Sequence, residues 1–178
     1  NRISAQSSDR AFHSVRTDQS EGGRQIALHL IAGGHKRIAY VAGHLDTSTN
    51  QEREDGFRTA LASKGQEIYA YGVGKYDAAI AQSLVRSWYQ DPQGQRRPLS
   101  VCPDAIFAAD DQMALAIMDT LRDELGLQVP GQVSVAGFDD VPQASAKAYG
   151  LTTYAQPLIP MVQELVHLLM DQIAHRND

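Results

Sequence analysis

The feature that most constrains this chain is an alternation of short apolar segments with longer helical segments. The apolar segments have the length and composition of buried strands, and each is followed by apolar residues at helical spacing. Strands that alternate with helices predict an α/β fold, a doubly wound parallel sheet with right-handed crossovers and helices on both faces. The apolar segments lie at residues 37–43, 68–71, 104–109 and 133–138.

Polar residues and glycines mark where the helices between these strands begin and end. Asn50, Asp77 and either Asp110 or Asp111 precede a helical pattern, and their side chains can accept a hydrogen bond from a first-turn amide. Gly65 and Gly126 follow two of the patterns, and glycine readily adopts the left-handed conformation that ends a helix. The sequence therefore predicts helices beginning after these three polar residues.

The two ends of the chain give weaker patterns. Residues 1–9, rich in Ser, Gln and Asn, are expected to form a loop, and residues 12–16 a short strand. A helix is expected from Glu21 to the Gly33-Gly34 pair, and a further strand at 151–155. A last helix begins near Pro157, and its inward face is expected to carry Met161, Leu165, Leu168 and Leu169.

Composition excludes several classes of protein for this segment. Its net charge is −5, and its basic pairs at 36–37 and 96–97 are isolated, so it is not expected to bind DNA by itself. No apolar run approaches the length of a membrane span, and no signal peptide pattern is present. Asn1 is not a natural first residue, so a longer parent protein is expected.

Polar side chains collect after successive predicted strands. Gly43, His44 and Asp46 follow the first, Tyr76 lies soon after the second, and two aspartate pairs, 110–111 and 139–140, follow the next two. Ligands of open parallel sheets bind beyond the carboxyl ends of the strands. These residues, with Arg53 in the first turn of its helix, are therefore expected to share one edge.

Three interpretations of this edge stay open from the residues alone. The aspartates can simply cap helices and turns. Carboxylates and an arginine around an aromatic ring suit a polyol, because charged groups bind hydroxyls strongly and the ring packs on a sugar face. Paired aspartates can also hold a hard cation or accept a phosphoryl group, but the lysine expected after a late strand is absent following Phe138.

Other chemistry is not expected. The histidines lack zinc-ligand spacing, so no metal site is predicted, and no glycine-rich phosphate loop or other cofactor motif is present. The single cysteine, Cys102, lies before a proline without a histidine partner in sequence and is expected to be an unreactive thiol. Ser134 lies within a strand and lacks the pattern of a hydrolase nucleophile.

Six segments together resemble the effector-binding core of the lac repressor/galactose repressor (LacI/GalR) family of bacterial transcription regulators. Their order and spacing are consistent from about Val15 to the end of the chain. The segments lie at residues 29–39, 53–57, 103–114, 126–130, 133–140 and 151–157.

The resemblance implies a type I periplasmic-binding-protein-like fold with two lobes joined by three crossovers. One complete lobe and parts of the other are expected: residues 1–35 as part of the N-terminal lobe, 36–151 as the C-terminal lobe, and 152–178 as the crossover and a returning helix. The helix-turn-helix DNA-binding domain of the family is absent from this chain.

The resemblance also implies which residues contact an effector. Arg53 matches the arginine that binds effector oxygens, Asp139 the acidic residue that binds sugar hydroxyls, and Tyr76 the stacking aromatic. Asp110 departs from the asparagine usual in the family and, when ionised, cannot donate a hydrogen bond. The remaining expected cleft positions are Asp18, Thr49 and Gln156, while Asp46 and Asp140 are expected to be structural.

The function implied by the resemblance is that of a sensor rather than an enzyme. A small-molecule effector, a sugar or sugar derivative, would bind between the lobes of a cytoplasmic homodimer, whose contacts are expected on helices 77–89 and 111–125. Operator DNA would be bound only through the missing N-terminal domain, without a membrane or a cofactor. The alternatives are an extracytoplasmic sugar-binding protein of a transporter and an enzyme on the same fold.

Overall fold

The computed structural model describes residues 3–7 and 13–175 of the chain. A short 3-10 helix lies at Leu99–Val101 and another at Pro142–Ser145, and a π-helical turn at Thr120–Glu124 continues the fourth helix. The strands are β1 (Ile3–Ser7), β2 (His13–Thr17), β3 (Ile38–Ala42), β4 (Ala70–Val73), β5 (Ala105–Ala108), β6 (Ser134–Asp139) and β7 (Thr152–Ala155). The helices are α1 (Gln19–Ala32), α2 (Ser48–Ala62), α3 (Ala78–Tyr89), α4 (Asp111–Asp119) and α5 (Leu158–His175).

Five of the strands form one parallel sheet in the order β4-β3-β5-β6-β7. The chain therefore starts near the centre, steps to one edge, and returns to build the other side, so the predicted doubly wound sheet is confirmed. In this order the direction of winding reverses between β3 and β5. Such a switch point leaves a crevice at the carboxyl ends of the two strands, where ligands of open α/β sheets bind.

The helices cover the sheet in two pairs. Helix α1 packs along α2, and α3 packs along α4, while α4 contacts β5 and β6. Aromatic rings form the layer between α2 and the sheet: the ring of Phe57 lies 5.3 Å from that of Tyr40 and 5.0 Å from that of Phe107. All three side chains are fully buried, so this layer fixes α2 firmly on its face of the sheet.

Helices α1 and α2 approach so closely that their backbones touch at two glycines. A Cβ atom at Gly23 would lie 2.0 Å from the carbonyl oxygen of Arg53, and one at Gly56 would lie 1.9 Å from that of Ser20. Neither position has room for a side chain. The close approach carries the first turn of α1 next to Arg53.

Two of the three predicted helix caps are confirmed. Asp77 accepts a 2.9 Å hydrogen bond from the amide of Ile80, and Asp110 one of 2.9 Å from that of Met113. The prediction for Asn50 is wrong, because α2 begins three residues earlier, after Thr47. The Asn50 side chain is instead buried and accepts a 2.7 Å hydrogen bond from the amide of Gly43.

The N-terminal segment differs from expectation. Strand β1 pairs antiparallel with β2, so the expected loop at residues 1–9 is wrong over Ile3–Ser7. Polar composition did not prevent pairing, because the ladder of an antiparallel pair uses backbone groups that every non-proline residue carries. The strand expected at 12–16 is confirmed at His13–Thr17, while Phe12 lies outside the described residues.

Helix α5 exposes the apolar face that was expected to point inward. Leu165 is 46% exposed and Leu169 50%, although α5 packs against β2. The inward prediction is therefore wrong for Leu165 and Leu169, whereas Met161 and Leu168 are half-buried, and the Met161 sulfur accepts a 3.3 Å hydrogen bond from the Thr17 hydroxyl.

The expected division of the chain into lobes, at residues 35 and 151, stays a prediction. Helix α1 contributes Ile26, Ala27 and Leu30 to the same core as the five-stranded sheet. Within the described residues, this helix is therefore packed with the lobe that follows it. None of the described helices is long and apolar enough to cross a membrane.

Candidate functional site

The carboxyl ends of the sheet strands bring most of the predicted site residues to one edge. Asp110 follows β5, Asp139 ends β6, and Gln156 follows β7. Tyr76 follows β4, and Arg53 reaches this edge from the first turns of α2. The binding roles of these residues stay predictions, but their shared location is the one that the order of the strands requires.

The side chain of Arg53 is buried at this edge and is held by contacts with three other residues. Its Nε and Nη2 donate hydrogen bonds of 3.1 and 2.6 Å to Oε1 of Gln19, and its Nη1 donates to the carbonyl oxygen of Ala109. Its Cζ lies 3.5 Å from the centre of the Phe138 ring, in cation–π geometry. Its guanidinium is therefore fixed before any ligand arrives.

Burial shapes the electrostatics of this arginine. Desolvation lowers the pKa of Arg53 from its ordinary value, while the nearby carboxylates of Asp139 and Asp110 raise it. No carboxylate among the described residues forms an ion pair with it within 4.0 Å. A guanidinium without a carboxylate partner keeps N–H donors for the oxygens of a ligand.

A chain of hydrogen bonds links the end of β6 to the segment after β7. Nε2 of Gln156 donates to Oδ1 of Asp139 at 2.6 Å, and the Thr17 hydroxyl donates to Oε1 of Gln156 at 2.8 Å. Burial raises the pKa of the Asp139 carboxyl, and the hydrogen bond from Gln156 and the nearby charge of Arg53 oppose that rise. The second carboxylate oxygen of Asp139 has no hydrogen bond from the described residues, so it can accept one from a ligand hydroxyl.

Asp110 serves as the N-cap of α4 through Oδ1, which leaves Oδ2 for a ligand. Burial raises the pKa of its carboxyl, the cap hydrogen bond opposes the rise, and the nearby charge of Asp139 adds to it. The structure therefore bears out the capping interpretation for Asp110, while its Oδ2 stays available at the edge.

The aromatic member of the edge is Tyr76, in a left-handed backbone conformation with φ of 59°. Its ring lies directly over Gly43, where an added Cβ would be 2.0 Å from the ring carbon Cζ. The His44 ring meets it edge to face at 5.6 Å. Gly43 thus allows the tyrosine to lie flat at the switch point, where it can stack on a ligand.

Two predicted site residues lie less centrally. Asp18 is the N-cap of α1 and accepts a 2.9 Å hydrogen bond from the amide of Glu21. Thr49 is exposed in the first turn of α2. Asp18 thus has a capping role of its own, and the structure shows no contact that ties Thr49 to Arg53 or Asp139.

Two residues that position the site were missed from the sequence. Gln19 is buried and accepts both Arg53 hydrogen bonds, and Phe138 supplies the face under the guanidinium. No sequence signal identified Gln19, since it lies 34 residues from its partner. Phe138 could have been suspected, because an aromatic residue directly before Asp139 must lie near the same edge.

The metal alternative receives no support from the described residues, which contain no group of three His, Cys, Asp or Glu side chains able to hold an ion. Cys102 is fully buried, and burial raises the pKa of its thiol. A separate groove of about 640 Å³ lies at the amino end of β6 and β7, beside His29 and Arg122. None of the predicted site residues lines this groove.

Comparisons with known proteins agree with this fold. A family model described as a periplasmic binding protein-like domain matches residues 27–178. A structure of the lac repressor dimer bound to operator and the anti-inducer ONPF aligns with a TM-score of 0.76 at 29% identity, covering 88% of this chain and 44% of that one. The HTH-type transcriptional regulator CelR of Thermobifida fusca is 37% identical over 165 residues, 89% of this chain and 45% of CelR. The chain belongs to the LacI/GalR family. The resemblance carried by the six sequence segments is thereby confirmed, as is the periplasmic-binding-protein-like fold.

One further LacI/GalR structure bears on the ligand. A transcriptional regulator CelR–cellobiose complex aligns with a TM-score of 0.73 at 35% identity, covering 90% of this chain and 47% of that one. This chain spans about half the length of the curated LacI/GalR relatives that it matches.

Proposed function

We propose that this chain is the effector-sensing part of a bacterial transcriptional regulator, and that its effector is a sugar or a related small polar metabolite. The observation that carries the proposal is the edge at the switch point of the sheet. There a buried arginine, two carboxylates and an aromatic ring lie together in a LacI/GalR fold. The CelR–cellobiose complex of a 35% identical relative supports a sugar as the ligand class.

Each group has a distinct part in binding. The fixed Arg53 guanidinium donates to ligand oxygens, and the free carboxylate oxygens of Asp139 and Asp110 accept from ligand hydroxyls. The Tyr76 ring packs on the apolar face of the sugar ring. Gln156, Asp18 and Thr49 complete the set at the crossover and the rim.

The signal is a change in the arrangement of the two lobes. Gln156 lies directly after β7, where the chain leaves the sheet, and its side chain is bonded both to Asp139 and to Thr17 in β2. An effector held here contacts the lobe and its crossover together, and so favours one arrangement over another. The shift can be no larger than the difference between its affinities for the two arrangements.

The assembly proposed is a homodimer that binds operator DNA through a domain outside this chain, in the cytoplasm, without enzymatic activity. The proposed dimer contacts are the exposed Ile80 of α3 and the half-buried Leu115 of α4, since the other apolar side chains of α4 are buried in the core. The relatives found by comparison are transcriptional regulators, which favours this function over that of a transporter's sugar-binding protein or an enzyme.

Thermal unfolding of the intact protein in the presence of a sugar panel tests the proposal, with cellobiose as the first member. A ligand at about 100 times its Kd stabilises a protein by about 2.7 kcal/mol, which raises Tm by several degrees. A panel of neutral and acidic sugars that leaves Tm unchanged would contradict a sugar effector.

Two variants assign the binding to this edge. Arg53→Ala or Asp139→Ala should weaken effector binding by about 2 kcal/mol or more, because each removes hydrogen bonds to a charged group. Arg58→Ala is the matched control, since Arg58 lies on the same helix but is exposed and paired with Glu54. Titration calorimetry that gives equal affinities for all three variants and the wild type would refute the assignment.

A further inference from the structure

Asp111 is a fully buried carboxylate that lies next to the site but has no part in it so far. It is 0% exposed, and no Lys or Arg of the described residues lies within ion-pairing distance of it. A buried charge without a cation is costly unless hydrogen-bond donors surround it. The donors around Asp111 therefore show what its charge is used for.

Those donors come from the turn after β6 and from strand β7, the two segments that lead to Asp139 and Gln156. The Thr153 hydroxyl in β7 donates to Oδ1 at 2.6 Å, and the amide of Val141, just after β6, donates to Oδ2 at 2.9 Å. The amide of Asp140 donates a 3.3 Å hydrogen bond to Oγ1 of Thr153, so the threonine hydroxyl links it to the carboxylate. One carboxylate on α4 thus joins the turn after β6 to β7.

The turn that Asp111 holds is strained. Asp139 has φ of 119° and Asp140 φ of 59°, both in the region that non-glycine residues rarely occupy. Such a conformation persists only where the surrounding structure imposes it. The contacts that impose it here are the hydrogen bond from Val141 to the buried carboxylate and the one from Asp140 to the Thr153 hydroxyl, which itself bonds the carboxylate.

The sheet is shaped to admit this carboxylate. A Cβ atom at Gly137 would lie 2.2 Å from Oδ1 of Asp111, so only glycine in β6 lets the side chain reach its donors. Thr153, its partner in β7, lies three residues before Gln156. Asp111 therefore fixes both strands whose ends carry the Asp139–Gln156 hydrogen bond.

We propose that Asp111 is the positioning residue of the effector site: it does not face the ligand but holds the strained turn that aims Asp139 and keeps Gln156 in register with it. This proposal rests on the proposed function of the same edge. Its geometry can be tested without any ligand, so a failure of the sugar panel and a failure of this proposal are separate results.

The test measures amide hydrogen exchange by NMR in the Asp111→Asn variant of the intact protein. The Asn side chain is neutral and has one acceptor oxygen instead of two, so it cannot accept from Thr153 and Val141 as the carboxylate does, and neither contact keeps its charge assistance. The amides of Asp140 and Val141 should exchange about tenfold faster or more, the factor expected for losing a hydrogen bond to a charged group. The side-chain amide of Gln156 should lose protection with them.

Asp119→Asn is the matched control, because Asp119 lies on the same helix and accepts a hydrogen bond from Tyr149 in the same β6–β7 connection. It should leave these amides unchanged. Thr153→Val provides a second variant, which keeps the buried charge but removes one of its donors and the acceptor of the Asp140 amide. It should speed the Asp140 amide, and the Val141 amide to a smaller degree than Asp111→Asn does.

Three results would overturn the proposal. In the first, the amides of Asp140 and Val141 exchange at the wild-type rate in both Asp111→Asn and Thr153→Val. Another is an equal acceleration of the β3 amides, which would indicate general destabilisation. The third is a Gln156 side-chain amide that stays protected while the turn opens, since Asp111 would then hold the turn without positioning the site.

Discussion

The contact between α1 and α2 makes Gly56→Ala the most informative single change in the fold. The added Cβ would lie 1.9 Å from the carbonyl oxygen of Ser20, whereas ordinary contacts begin near 3.4 Å. The two helices must therefore separate by about 1.5 Å, since a backbone carbonyl inside a helix cannot rotate away. The separation also moves Gln19, on α1, away from Arg53 on α2.

The stability cost follows from two opposing effects. Overpacking of this kind costs about 1–3 kcal/mol, while alanine is favoured over glycine in a helix by about 1 kcal/mol. A net loss of up to about 2 kcal/mol is expected, or a fall in Tm of up to about 8 °C. Loosened Gln19–Arg53 hydrogen bonds should also weaken effector binding.

Urea unfolding of the intact protein measures this effect, with Thr59→Ala as the control at an exposed position of the same helix. The control should change stability by less than about 0.5 kcal/mol. A Gly56→Ala variant as stable as this control would refute the close-packing argument, and with it the reason given for the position of Gln19.

Two further changes test the electrostatics and the support of the site. Burial raises the pKa of Asp110 above its unfolded value, so the stability that Asp110 contributes is full below the unfolded pKa and is lost as pH rises through the folded pKa. Asp110→Asn can still cap α4, so urea unfolding should show it gaining stability relative to wild type as pH rises. Asp110→Ala should lose about 1 kcal/mol of stability, because it removes the cap. Equal stabilities of the two variants at neutral pH would contradict this. Phe138→Leu removes the ring beneath Arg53 and should lower the free energy of unfolding by about 1 kcal/mol or more, because the cation–π contact and its packing are lost. Thermal or urea unfolding measures this change. A variant as stable as wild type would show that the ring does not support the guanidinium.

The sequence predicted the sheet because its signals are local. Each buried strand is a short apolar run. Asp77 and Asp110 mark the starts of their helices, because each side chain accepts a hydrogen bond from the amide three residues ahead. The edge location of Asp110 and Asp139 then follows from strand order alone. Asn50 was predicted as a cap by the same local rule, but its side chain accepts a hydrogen bond from the earlier residue Gly43 rather than from a helix amide ahead of it.

What the sequence could not predict depends on contacts between distant residues. Gln19 becomes a partner of Arg53 only because two glycines let the helices touch. Nothing local distinguishes Asp111 from its neighbour Asp110, although one is buried beneath the turn and the other caps a helix at the edge. The outward face of α5 likewise depends on which surface covers it, which apolar periodicity does not reveal.

The central claim is that a sugar-like effector is held at the edge by Asp139 and Arg53. Titration calorimetry of the intact protein tests it most directly, using cellobiose and each panel sugar that raises Tm. Asp139→Asn keeps the shape of the side chain but loses its charge and one acceptor, and Asp55→Asn serves as an exposed control on α2. The account predicts affinity at least about tenfold weaker in Asp139→Asn alone, as expected for hydrogen bonds to a charged group. Undiminished affinity in Asp139→Asn would contradict it.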